Sequence, residues 1–146
     1  LKNKLDGTID SMTPEEYLEG AAEALAAQQG YAFHTGPEDG MAHTVRSYPA
    51  AWLAPLELHA VEGRGHGRAT YDMTLHLLSS GARLSPTERR AALARMEEQL
   101  LEIFAALSLD ERVLAVEGLS VRPRAFALTP HGEISQTAAA RIVTFF

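Results

Sequence analysis

The chain contains no cysteine. That absence removes disulfide frameworks, thiolate nucleophiles and cysteine-based zinc sites together. It also lacks any apolar stretch near the roughly 18 residues that a membrane-crossing helix requires. The opening Leu1-Lys2-Asn3-Lys4-Leu5-Asp6 has no apolar run of the secretory kind, although a start at Leu1 leaves a removed leader open. Positive charge is scarce: 13 Lys and Arg stand against 19 Asp and Glu, for a formal charge of −6. Bulk binding to nucleic acid needs a basic footprint, so the expectation is none. Internal repeats and low-complexity tracts are missing as well.

What is present reads as globular. Hydrophobic residues make up 46% and charged residues 22% of 146 positions, an ordinary mixture for one domain. A domain of that size buries about 68–70% of the surface its unfolded chain exposes, so it needs no metal or disulfide staple. Residues 1–12 are polar and aperiodic and are expected to form an arm. Residues 13–146 are expected to form a single α+β domain.

Two helix starts are explicit. Thr13-Pro14-Glu15-Glu16 offers an N-cap hydroxyl, proline at the first helical position and a glutamate that can reach back to the cap. Leu18, Ala21, Ala22 and Leu25 then recur at helical spacing, and Gly30 is a natural stop. Ser85-Pro86-Thr87-Glu88 repeats the same logic before Leu93, Met96, Leu100, Ile103 and Leu107. The spacing predicts helices near 13–29 and 85–107.

Strands are predicted at 55–62, 68–78, 113–122 and 134–145. In the first pair, Leu56, Leu58 and Ala60 alternate with polar residues, as do Tyr71, Met73, Leu75 and Leu77. Placing Leu58 opposite Met73 and Ala60 opposite Tyr71 gathers the apolar side chains on one face. It sets His59 opposite Asp72 and leaves Glu57, His59, Asp72, Thr74 and His76 on the other face. Gly63 to Gly67 joins the two strands. Residues 34–43 carry loop chemistry, and 44–48 reads as a short strand before Pro49. Pro123 marks a sheet edge or an early strand end. The expected architecture is α+β, an antiparallel β-sheet with two helices packed on one face.

No catalytic, cofactor-binding or metal constellation is found, so the expectation is a protein that is not an enzyme and carries no cofactor. Gly63-Arg64-Gly65-His66-Gly67 is followed by a strand, whereas a phosphate loop leads into a helix N-terminus. His131-Gly132-Glu133 matches half of a zinc-deaminase signature whose other half requires cysteines. The six histidines show no i, i+4 pair on a helix. The alternative reading is a small-ligand binder or enzyme that uses the open sheet face around His59, Asp72 and His76, where acid–base groups would gather.

The C-terminus carries the most functional content. Phe145 and Phe146 close a strand that also holds Ile142 and Val143. Two aromatics at a chain end must be buried in the chain's own sheet or against a neighbouring subunit.

The layout resembles the tail-terminator and tail-completion proteins of tailed phages. The matching pieces are the helix from Thr13, the Tyr48-Pro49 entry to the hairpin, the helix from Ser85, and the closing strand from Ala138 to Phe146. This resemblance implies a virion-assembly subunit, of phage or prophage origin, that forms a ring with copies of itself, a hexamer in that family. Such a ring caps the tail tube and contacts tail-tube or head-completion proteins. It would reside in the virion tail or the host cytoplasm, with no membrane partner. No family motif residue can be carried over as a site. The candidate interface residues are Arg64, His66 and Arg68 at the hairpin tip, with Phe145 and Phe146 at the end of the last strand.

Overall fold

Thr13 and Ser85 both act as the sequence predicts. Each accepts a hydrogen bond from the backbone amide three residues on, and each cap amide is held in return by Glu16 or Glu88. These capping boxes start α1 (Pro14–Gln28) and α3 (Pro86–Ser108) in a computed structural model that describes residues 12–63, 67–124 and 127–145. Between them lie β1 (Ala32–Thr35), a 3₁₀ turn (Glu38–Gly40), the single-turn α2 (Met41–Thr44), β2 (Ala50–Leu53), β3 (Glu57–Glu62) and β4 (Arg68–Ser79). Two long strands close the fold, β5 (Val113–Pro123) and β6 (Ile134–Phe145).

One six-stranded sheet runs in the order β1-β2-β4-β6-β5, and β3 also pairs with β4. Every pairing is antiparallel except β1 with β2, so the sheet is mixed, not purely antiparallel. The class is α+β. α1 and α3 cover one face, where Leu18, Ala22, Leu100, Phe104 and Leu107 pack with Tyr71, Met73, Leu75, Leu77 and Ile142.

Two local expectations are corrected. Residues 44–48 are not a strand. The chain instead forms β1 at 32–35 and then β2 after Pro49, with the Tyr48–Pro49 peptide cis. Ala50 to Leu53 is a continuous apolar run, buried throughout because the connection 36–49 covers the sheet's second face. There Met41 and Val45 pack with Ala50, Trp52 and Leu78, flanked by Tyr48 and Leu128.

The hairpin register also differs. Glu57 pairs with Asp72 and Leu58 with Tyr71, then the ladder shifts at His59 so that Ala60 pairs with Thr70 and Val61 with Ala69. A bulge adds one residue to one strand and rotates the later residues of that strand onto the other face. Ala60 therefore leaves the helix-covered side, while Leu58 stays on it but lies 56% exposed. The apolar residue that reaches the core is Leu56, 7% exposed.

β2 and β3 are two pieces of one strand running along the same edge of β4. β2 holds Leu75 to Leu78, β3 holds Arg68 to Asp72, and the Ala54 amide donates to the Thr74 carbonyl at 3.1 Å in the gap between them. Pro55 interrupts the ladder there because it has no amide to donate. The hairpin end of the sheet is thus β3-β4-β6-β5. Among the described residues, β3 and β5 pair with nothing on their outer sides.

Candidate functional site

The sheet's second face divides into three zones. Nearest β1 is the small core around Trp52, whose indole Nε1 donates to the Gly36 carbonyl at 2.9 Å and whose ring stacks on His34. Beside it, His76 is 1% exposed and shares its two ring nitrogens between Thr137 and Glu38. The Thr137 hydroxyl lies 2.7 Å from Nδ1, and the Glu38 carboxylate meets Nε2 in a close contact. Burial lowers the basicity of His76, Glu38 opposes that effect, and Arg124 adds to it. The Glu38–His76–Thr137 chain fastens the 36–49 connection to the middle of β4 and β6.

The second zone is a depression of about 460 Å³ lined by Ser120, Arg122, Arg124, Leu128, Thr137 and Ala139, among others. Small side chains form its floor. The Arg122 and Arg124 guanidiniums stand at its β5 side, and among the described residues no ion pair forms to either one. A second depression, about 420 Å³, shares Ser120 and Ala139 with the first and continues toward Asp72, Glu117 and Arg141.

The third zone is a charged row across four strands, Glu57–Asp72–Arg141–Glu117, set by the pairing register. Arg141 Nε lies 3.3 Å from Asp72 Oδ1, and His59 Nδ1 lies 3.8 Å from Asp72 Oδ2. All three side chains are 40–53% exposed. At that exposure the pairs add little to stability.

These positions settle how the sequence-derived residues are arranged. His59 and Asp72 do approach each other, by way of the bulge and not by direct cross-strand pairing. His76 belongs to a different cluster, because it lies four positions along β4 from Asp72, roughly 13 Å away. Arg68 and Phe145 are cross-strand partners at the hairpin end of the sheet, and Phe145 is 39% exposed, so it is not part of the core. Arg64, His66 and Phe146 lie outside the described residues.

Glu133, the acid of the half-signature, is 2% exposed and serves the loop before it. It accepts hydrogen bonds from the amides of Leu128 and Thr129, and from the Thr129 hydroxyl in a close contact. Among the described residues, no group of three or more His, Asp and Glu is arranged to hold a metal ion, and no helix is long and apolar enough to cross a membrane.

Sequence reasoning missed Glu38 and Thr137, which nothing in their local patterns ties to His76. It also passed over the Arg122-Pro123-Arg124 triplet, where two arginines flank a proline that already marks the edge. No protein-family model matches the chain, and no curated protein matches it.

Proposed function

We propose that this protein is a non-catalytic assembly subunit that joins copies of itself edge to edge into a closed ring, acting as a tail-terminator or minor tail protein on a phage or prophage tail tube. The observation that carries this reading is the pair of free strand edges, among the described residues, on opposite sides of one sheet. β3 exposes Leu58 and Val61, each 56% accessible, and β5 exposes Leu114 at 48% and Leu119 at 36%. A strand edge presents unpaired backbone groups to other chains, and globular proteins usually blunt or cover it. Two different edges on one subunit make a heterologous contact, which closes into a ring when the rotation per copy allows. Phe145 and Arg68, side by side at the hairpin end, add an exposed aromatic and a cation near both edges. Partners in such an assembly are further copies and the tail-tube or head-completion proteins.

Light scattering on the full chain over a wide concentration range tests the reading, alone and with purified tail tubes. A closed oligomer, or a complex that caps tubes, is the expected result. A chain that stays monomeric throughout and ignores tubes overturns it.

A second reading is favoured by one observation, the two guanidiniums without an ion pair among the described residues beside a small-residue depression. In that reading the open face takes a small anionic ligand, with the His59–Asp72 pair and His76 as separate neighbouring groups. Calorimetric titration with inorganic phosphate or succinate tests it, and the absence of saturable heat would remove it.

A further inference from the structure

We infer that the contact between copies is keyed by charge: the acidic β3 edge of one copy seats Glu57 and Glu62 against Arg122 and Arg124 of the next copy's β5 edge. This rests on the ring reading above and specifies its interface.

β3 is antiparallel to β4, β4 to β6, and β6 to β5. When the sheet continues into a second copy with the same face kept to the same side, β5 and the incoming β3 are therefore antiparallel. On the open face β3 presents Glu57, Ala60 and Glu62, the partners of Asp72, Thr70 and Arg68. On the same face β5 presents Ser120 and Arg122, the partners of Ala139 and Thr137, and Arg124 continues the row, its backbone amide donating a hydrogen bond to the Ser135 carbonyl at 3.1 Å.

Setting the two rows antiparallel brings Glu57 opposite Arg124, Ala60 opposite Arg122 and Glu62 opposite Ser120. Each glutamate then lies directly or diagonally beside an arginine, within the reach of long side chains. On the helix-covered side the same register sets the exposed Leu58 and Val61 against Pro123 and Val121. The unstaggered register instead places Glu57 beside Glu117 of the charged row, like charge against like. The unstaggered register would also set Leu58 and Val61 against apolar residues, Val116 and Val113, so it is the charges that select the stagger. A staggered edge contact closes into a ring when the strands incline to its axis.

The contact relies on side chains more than on a backbone ladder. Arg124 sends its amide inward to β6, so at position 123 the amide would point outward, and Pro123 has none. The proline blunts general strand addition at the place where the two arginines stand. An incoming edge must therefore satisfy the guanidiniums, which lack a carboxylate partner among the described residues in a chain of net charge −6. This arginine pair and the acidic opposite edge are the complement that self-association requires.

The test uses charge reversal on the full chain. Variant one carries Glu57→Arg and Glu62→Arg, and variant two carries Arg122→Glu and Arg124→Glu. All four side chains are exposed, and circular dichroism checks that each variant is folded. Each variant alone should associate about tenfold or more weakly than the wild type. An equimolar mixture should recover assembly, because every edge then meets its complement. Raising salt from about 0.1 M to about 1 M shortens the screening length from about 10 Å to about 3 Å and should weaken the wild-type contact. Assembly that survives both reversals overturns the charge key and leaves the ring reading standing. A wild type that never associates overturns both. Assembly indifferent to reversal, together with phosphate binding lost in variant two, assigns the arginines to a small anion and also overturns the key.

Discussion

The carboxylate of Glu38 reaches the Nε2 of His76 from the rim of the sheet, joining a side chain that is 53% exposed to one that is 1% exposed. The pair ties the 36–49 connection to β4, and the burial of His76 makes the fold sensitive to acid. Burial holds the folded pKa of His76 below the ordinary value of 6.5. The unfolded chain therefore takes up the proton first as pH falls. This group leaves stability unchanged above about pH 6.5 and subtracts from it as pH drops from there to the folded pKa, with a slope of at most about 1.4 kcal/mol per pH unit. Denaturation midpoints measured from about pH 7.5 down to about pH 5.5 should show this loss. His76→Gln should flatten the profile, and Glu38→Gln should steepen it by removing the group that opposes burial. An identical slope in the His76→Gln protein would show that other groups set the acid response.

Leu100 sits at the middle of the α3 stripe and is fully buried against the sheet. Leu100→Ala removes that packing and leaves a void, at a cost of about 2–5 kcal/mol. Chemical denaturation reads this as a lower midpoint with an unchanged slope. An unshifted midpoint would mean that the helix does not cover the sheet in solution.

Glu133 anchors the loop that holds Leu128 over the Trp52 cluster. In Glu133→Gln one acceptor oxygen becomes a donor, so at least one buried loop hydrogen bond is lost, for about 1–3 kcal/mol. Trp52 is the chain's sole tryptophan, so its emission reports the neighbourhood directly. A red shift accompanying the lower melting temperature is expected. Unchanged emission with unchanged stability would detach Glu133 from this role.

Val61 projects from the β3 edge with its side chain largely free. Val61→Asp should leave the stability of the subunit within about 0.5 kcal/mol of the wild type. It should also strongly reduce any assembly seen by light scattering. Full assembly by the aspartate variant would move the interface away from this edge.

Much of the architecture is written locally. Both long helices begin at four-residue capping signals, and β4 and β6 show period-two alternation over most of their lengths, so their ends are legible within a residue or two. β1 and β2 carry no such signal. Ala32-Phe33-His34-Thr35 is too short to show a period, and Ala50-Ala51-Trp52-Leu53 is apolar throughout because both faces of β2 are covered. The hairpin register is not legible at His59, since a bulge adds a residue without any composition mark. The Glu38–His76 contact spans 38 positions of sequence and depends on a connection whose path only the assembled fold determines.

The broken strand along β4 has a consequence for motion. β4 is flanked along its length, by β6 through twelve consecutive pairs on one side and by β2 and then β3 on the other. Its inner half also lies beneath α1 and α3, whereas β3 is exposed at nearly every position. Opening events therefore differ in size along the same strand. The β3 segment can detach at Pro55 as a small cooperative unit while β2, β4 and β6 stay joined. Amide hydrogens of β3 should exchange with solvent through local opening, and those of Met73 to Leu78 only when the whole domain unfolds.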